Sequence, residues 1–139
     1  MILKRTGMVS ILLLAIFTLT IMVGLVSAQE WAPFVPNPGS VELSYWSKGR
    51  KAYVKVTITL GTPCYEFDWG IVSRDDSQLW ADSEIWQYQG ICIQVVTTFA
   101  HIYELGKLKF RETYTFTFKA WGYPIESITF KHLPPGHLR

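Results

Sequence analysis

The stretch KAYVKVTITL, residues 51–60, alternates apolar and polar side chains. The apolar positions are Ala52, Val54, Val56, Ile58 and Leu60, and the facing polar positions include Lys51, Lys55, Thr57 and Thr59. Successive side chains of a strand point to opposite faces, so this segment has one apolar face and one polar face. Such alternation is typical of a sheet that buries one face and exposes the other.

The same period of two recurs along most of the chain. Further candidate strands span residues 41–46, 65–72, 79–88, 90–96, 100–106, 112–121 and 125–132. Turn residues separate them every 8–12 residues, and no segment has a sustained helical period. The pattern predicts an all-β fold, an antiparallel immunoglobulin-like β-sandwich of about seven or eight strands over residues 41–133. A closed barrel is the structural alternative.

The N-terminus has the layout of an export signal. Lys4 and Arg5 precede an almost wholly apolar run over residues 8–26, and the small residues Ser27 and Ala28 follow it. This layout predicts a signal peptide over residues 1–28, with an uncleaved membrane anchor as the alternative. Either interpretation places the rest of the chain outside the cytoplasm, at the cell surface or in the extracellular medium.

Two short segments flank the predicted sandwich. Residues 29–40, QEWAPFVPNPGS, contain three prolines and no regular period. They predict an extended lead-in or linker, from which Trp31 and Phe34 are placed to dock onto the domain. Residues 134–139, PPGHLR, predict a frayed tail.

The charge of the chain excludes one class of partner. The formal net charge is +2, and Lys4 and Arg5 of the predicted signal account for it. The remainder is close to neutral and its charges are scattered along the sequence. A basic surface for nucleic acid is therefore not expected.

The two cysteines, Cys64 and Cys92, predict a disulfide because an exported chain with a single pair usually oxidises it. A cross-linked loop of about 29 residues is worth roughly 3–4 kcal/mol. A zinc site needs about four ligands, and His101, His132 and His137 have no close spacing. A catalytic thiol needs a nearby base, whereas His101 belongs to a separate predicted strand. No metal or other cofactor is expected.

The segment GICIQVV, residues 90–96, surrounds the second cysteine. Gly90 is interpreted as a turn before a strand. Within that strand Ile91, Ile93 and Val95 occupy alternate positions. Their side chains are therefore predicted to lie on one face of the strand, the face toward the core.

Several short motifs occur in a fixed order along residues 51–130. They are Pro63-Cys64-Tyr65-Glu66, Ile91-Cys92-Ile93-Gln94, Phe99, Leu105-Gly106, and Tyr114-Thr115-Phe116-Thr117-Phe118 before Gly122. This order resembles a loose group of small exported prokaryotic β-sandwich domains of unassigned function. The resemblance implies an immunoglobulin-like sandwich with a disulfide, and it supplies no active site.

Acidic residues occur in three close pairs. The pairs are Glu66 with Asp68, Asp75 with Asp76, and Asp82 with Glu84. Paired carboxylates perform glycoside hydrolysis, but carboxylates on the outer face of a sheet more commonly keep a domain soluble. No serine triad, phosphate loop or nucleotide motif accompanies them. The sequence therefore predicts a protein that is not an enzyme.

The aromatic residues of the segment LWADSEIWQY offer a candidate binding surface. Trp80, Trp86 and Tyr88 share parity with Asp82 and Glu84. If the alternate positions face the core, these five side chains point outward, where aromatic rings suit a protein or a sugar. The alternative is a strand that is buried on both sides.

These observations favour an exported, non-catalytic immunoglobulin-like module with a role in protein interaction or in structure. The alternative is a carbohydrate-binding module with an aromatic platform at Trp80 and Trp86. A secreted inhibitor is a further alternative, because sandwich loops can block a protease cleft.

Overall fold

A computed structural model describes residues 30–136 of the chain. The predicted signal peptide, His137 and the last residues of the predicted tail lie outside the described residues. Within residues 30–136, no helix is long and apolar enough to cross a membrane.

The described residues form nine strands and one turn of 3-10 helix, Pro38–Ser40. The strands are β1 (Trp31–Pro33), β2 (Val41–Lys48), β3 (Lys51–Leu60), β4 (Tyr65–Asp68), β5 (Val72–Asp75), β6 (Gln78–Tyr88), β7 (Thr97–Lys107), β8 (Thr113–Ala120) and β9 (Tyr123–Lys131). Strands β2, β3 and β7 make a three-stranded sheet, and the other six strands make the second sheet around β6. The predicted all-β sandwich is confirmed.

One pairing differs from a fully antiparallel arrangement. The pairings of β1, β4 and β5 with β6, of β2 with β3, of β3 with β7 and of β8 with β9 are antiparallel. Strand β8 instead runs parallel to the first half of β6. The reason is topological: β7 belongs to the other sheet, so the chain crosses over and returns before it forms β8.

The core lies between the apolar faces that the alternation predicts. In β3, the side chains of Ala52, Val54, Val56 and Ile58 are fully buried. In β8, Tyr114, Phe116 and Phe118 are buried, and the threonines between them face outward. Thr115 and Thr117 form hydroxyl pairs across to β9, with Thr129 and Ser127 respectively. Burial of the large side chains is the main favourable contribution to folding.

The predicted lead-in is partly a strand. Trp31–Pro33 pairs with the end of β6, and the Phe34 amide donates a hydrogen bond to the Ile85 carbonyl oxygen at 2.8 Å. The Phe34 ring packs against Tyr65, with ring centroids 4.9 Å apart. Both Trp31 and Phe34 therefore dock onto the sandwich.

The predicted strand over residues 65–72 is divided into β4 and β5 at Gly70. This glycine has a positive φ of 70°, and a Cβ there would collide with the backbone carbonyl oxygen of Asp82. Its amide donates a hydrogen bond to the Asp68 carboxylate at 3.1 Å. A glycine is required because the backbone turns in a left-handed conformation while pressed against β6.

The predicted strand over residues 90–96 is wrong. This segment is a loop between β6 and β7, and the supposed core row is in solvent, with Ile91 100%, Ile93 67% and Val95 54% exposed. The end of β6 already has β1 along one edge and β4 along the other. On the other sheet, β7 pairs with β3 only from Thr97 onward, because Thr97 lies opposite Leu60, the last residue of β3. Neither β6 nor β3 therefore offers residues 90–96 a pairing partner.

The predicted disulfide between Cys64 and Cys92 is confirmed, with Cα atoms 6.3 Å apart. Cys64 precedes β4, and its carbonyl oxygen accepts a hydrogen bond from the Tyr88 amide at 3.0 Å. Cys92 lies in the loop and does not open a strand as expected. The bond therefore ties the loop to the end of the six-stranded sheet.

Candidate functional site

The outer face of β6 carries the five residues that the sequence singled out. Along the strand, the buried positions are Leu79, Ala81, Ser83 and Ile85. The alternate positions are Trp80, Asp82, Glu84, Trp86 and Tyr88, of which the two acids are exposed and the three aromatic residues are half-buried. The strand is therefore buried on one face only.

The three aromatic rings of this face are covered in part by neighbouring side chains. Trp86 meets Trp121 edge to face, with ring centroids 4.7 Å apart. Tyr88 packs against Trp31 at 5.3 Å, and the Lys119 ammonium lies 5.3 Å from the Trp80 ring centroid. These contacts use ring surface that a flat sugar platform would leave open.

The carboxylates of this face are brought together by strand register. Asp68 lies directly opposite Glu84, and Glu66 lies opposite Trp86. The Asp82 carboxylate accepts a hydrogen bond from the Gly122 amide at 2.8 Å, which holds the turn after β8. Asp82 and Asp68 therefore each hold a turn, Asp68 through the Gly70 amide, while Glu66 and Glu84 are exposed side chains of the sheet surface.

The third acidic pair, Asp75 and Asp76, lies at the turn between β5 and β6. Asp76 has a positive φ of 52°, and its carbonyl oxygen accepts a hydrogen bond from Arg74 Nε at 3.0 Å. Aspartate tolerates the left-handed conformation better than most residues. The position of Asp75 and Asp76 is therefore explained by their place in this turn.

The histidines and cysteines do not assemble a metal site in the part of the chain that the structure describes. Both cysteines are in the disulfide, so no free thiol is present. His101 stacks on Trp69 with ring centroids 5.1 Å apart, and burial lowers its pKa. These residues serve the packing of the sandwich.

His132 is fully buried between the two sheets. Its Nδ1 atom is hydrogen-bonded to the Tyr45 hydroxyl at 2.8 Å, and its ring stacks on Phe110 at 5.1 Å. Its Nε2 atom has no hydrogen-bond partner among residues 30–136. Burial lowers the pKa of His132 below its ordinary value of 6.5, because a charged imidazolium is poorly solvated there.

The lowered pKa of His132 predicts a loss of stability in acid. The unfolded chain takes up a proton near the ordinary pKa, whereas the folded protein resists it until the pH is lower. The contribution of His132 to the free energy of unfolding is thus constant above the ordinary pKa and falls as the pH drops through it. Urea denaturation at about pH 7.5 and about pH 5 measures the fall.

The variant His132→Gln removes this titration and is expected to reduce the acid loss, leaving the part that His101 contributes. His101→Gln is the matched comparison, because burial also lowers the pKa of His101. An unchanged acid loss in His132→Gln would show that His132 is not its source.

The sequence pattern missed an exposed apolar loop, residues 89–96. Ile91, Ile93, Val95 and Val96 are between 54% and 100% exposed, and the segment contains no charged residue. Gly90 lies under the Tyr88 ring, where a Cβ would approach the ring carbons to 2.5 Å. The adjacent valines, Val95 and Val96, break the period of two, which is the signal that could have identified a loop.

Two sheets, a buried apolar interior and one disulfide define a small all-β sandwich domain. The model of the ORF11 beta-sandwich domain family matches residues 54–130, which is more than half of the chain. The protein therefore belongs to the ORF11 beta-sandwich family. The matched range includes the disulfide, the exposed loop and the outer face of β6. No curated protein and no solved structure gives a significant match.

Proposed function

We propose that this protein is an exported, non-catalytic, immunoglobulin-like module that binds another protein through the exposed loop, residues 89–96. One observation carries the proposal: four aliphatic side chains of this loop stand in solvent beside the disulfide. Soluble proteins rarely expose a continuous apolar patch without a partner for it.

The disulfide supports a binding role for the loop. A flexible loop loses conformational freedom when it binds, and that loss weakens the complex. The bond from Cys92 to Cys64 anchors the loop to the sheet, and the Thr97 hydroxyl donates a hydrogen bond to the Val95 carbonyl oxygen at 2.9 Å. The loop is thereby partly ordered before a partner arrives.

The disulfide also supports export. Disulfides persist in oxidising compartments and are rare where thiols are kept reduced. A cell-surface or extracellular location agrees with the export signal that the sequence predicts over residues 1–28. The oxidised cysteines and the packed histidines favour a role without catalysis.

Carbohydrate binding on the outer face of β6 is the competing function. Trp80 favours it, because this ring is half exposed and lies opposite Ser73 and Thr117. The partial covering of Trp86 and Tyr88 weighs against an extended platform. A glycan array distinguishes the two functions: a bound sugar that is lost in Trp80→Ala would support the outer face, and the loop proposal expects no bound sugar.

The loop proposal is tested by photo-crosslinking in the native cell envelope. A photoactivatable amino acid at position 91 is expected to capture one discrete protein, which mass spectrometry identifies. The same amino acid at Thr129, an exposed position on β9, is the matched control. A capture that is identical at both positions, or absent at position 91, would contradict the proposal.

The purified partner then allows a quantitative test. Each buried isoleucine contributes about 1.5–3 kcal/mol to an apolar contact, so Ile91→Ser with Ile93→Ser is expected to raise the dissociation constant by at least about tenfold. The melting temperature is expected to stay nearly constant, since both side chains are exposed. Unchanged affinity in the folded double variant would refute a role of the loop.

A further inference from the structure

A cavity of about 410 Å³ opens at the end of the sandwich opposite the disulfide. The register of β3 with β7 fixes this location, because Lys51 pairs with Lys107 at one end and Leu60 with Thr97 at the other. The disulfide and the exposed loop adjoin the second end. The cavity is therefore a separate feature from the proposed protein-binding loop.

Four basic side chains line the cavity. They are Arg50 from the β2–β3 turn, Arg74 from β5, Lys107 from the end of β7 and Lys109 from the loop that follows. Leu108 and Phe110 complete the lining. Among residues 30–136, the salt bridge that forms joins Lys51 to Glu104 at 3.5 Å, so none of the four cations is in a salt bridge. The Glu112 carboxylate lies nearby, where it accepts a hydrogen bond from the Tyr114 hydroxyl at 3.2 Å, and the cavity keeps an excess of positive charge.

The two arginines are held in place by aromatic rings. Arg50 lies over the Phe110 ring at 5.9 Å, and Arg74 lies over the Tyr114 ring at 5.5 Å. Tyr114 is buried, and its hydroxyl accepts a hydrogen bond from the Lys109 amide at 3.1 Å. Arg74 Nε is also fixed by the Asp76 carbonyl oxygen. Stacked guanidinium groups lose little freedom when they bind an anion.

We propose that this cavity binds a phosphate or sulfate group. Four cations around one cavity repel one another, and an anion with two negative charges relieves that repulsion better than a single carboxylate. Planar guanidinium groups donate paired hydrogen bonds to oxyanions of this kind. The volume falls within the usual range for small-molecule sites, so the cavity can also hold a small organic group attached to the anion.

The proposal is tested by titrating the oxidised protein with inorganic phosphate, inorganic sulfate and acetate at constant ionic strength. Saturable binding is expected for phosphate and sulfate, at least about tenfold tighter than for acetate. Phenyl phosphate distinguishes the source of the group. Tighter binding than inorganic phosphate would indicate an organic ester, and equal binding would indicate the free anion.

Charge-removing variants locate the site. Arg74→Gln and Lys109→Gln are each expected to weaken phosphate binding by about tenfold. Lys109 is not stacked on a ring, so its variant keeps the test valid if Arg74→Gln fails to fold. Lys55→Gln and Lys131→Gln remove the same charge from exposed strand positions outside the cavity, and they are expected to leave binding within about twofold. No saturable binding, or equal weakening in all four variants, would overturn the proposal.

Discussion

Replacement of Phe116 by alanine is expected to lower the free energy of unfolding by about 3–5 kcal/mol. Phe116 is fully buried in β8, and its ring lies 5.6 Å from that of Tyr103, on the facing sheet. Truncation removes apolar contact with both sheets and leaves a cavity that the surrounding strands fill only in part. The loss is a large share of the 5–15 kcal/mol typical of a domain, so folded protein would be scarce.

Thr117→Ala, one residue further along β8, is the matched control. The Thr117 side chain faces outward and shares a hydroxyl contact with Ser127 at 3.0 Å. Loss of this hydroxyl contact is expected to lower the free energy of unfolding by less than about 1 kcal/mol. Urea denaturation of the two variants and the unmodified protein measures the difference. Equal losses in both variants would contradict the assignment of Phe116 to the core.

Replacement of both cysteines by serine is expected to lower the free energy of unfolding by about 3–4 kcal/mol. The two residues are separated by 28 positions, and the intervening chain includes β4, β5 and β6. The disulfide restricts the unfolded chain, so its removal favours unfolding even if the folded contacts are kept. The Cys64→Ser, Cys92→Ser variant also frees the exposed loop from the sheet.

Denaturant unfolding with and without reductant gives the measurement. The unmodified protein in reductant is expected to match the double variant, and the double variant is expected to be insensitive to reductant. Limited proteolysis provides a second readout, with cleavage between residues 89 and 96 faster in the variant. A stability loss below about 1 kcal/mol would show that the bond does not constrain the unfolded chain as expected.

The fold was predictable where alternation was strict. In β3 and β8 the period of two assigns each side chain to the core or to solvent, and the structure agrees at every apolar position. The disulfide was predictable because the chain has only two cysteines. The parallel pairing of β6 with β8 was not, since it depends on β7 leaving for the other sheet, which no local pattern encodes.

The segment at residues 90–96 shows the limit of β-propensity. Its isoleucines and valines suit a strand, but a strand also needs an edge with free hydrogen-bonding groups. Residues distant in sequence, in β1 and β4, occupy both edges of the end of β6, and β3 ends opposite Thr97. Intrinsic preference was therefore overridden by tertiary structure.

The candidate site was predictable only in part for the same reason. Parity fixed the side of β6 on which Trp80 and Trp86 lie. The side chains that cover them, Lys119 and Trp121, come from the distant strand β8 and the turn after it. The basic cavity could not be predicted from the sequence, because its four cationic residues are scattered between residues 50 and 109.

The central position of β6 has a consequence for the synthesis of this chain. Strand β5 covers one edge of its first half, and β8 covers the other edge with residues 115–120. That second edge stays open until nearly the whole domain has been made. A fragment that ends before β8 would present unpaired amides and carbonyls, which are a template for association with other chains. Pairing of β8 with β6 is thus what protects this half of β6 from edge-to-edge association with other chains.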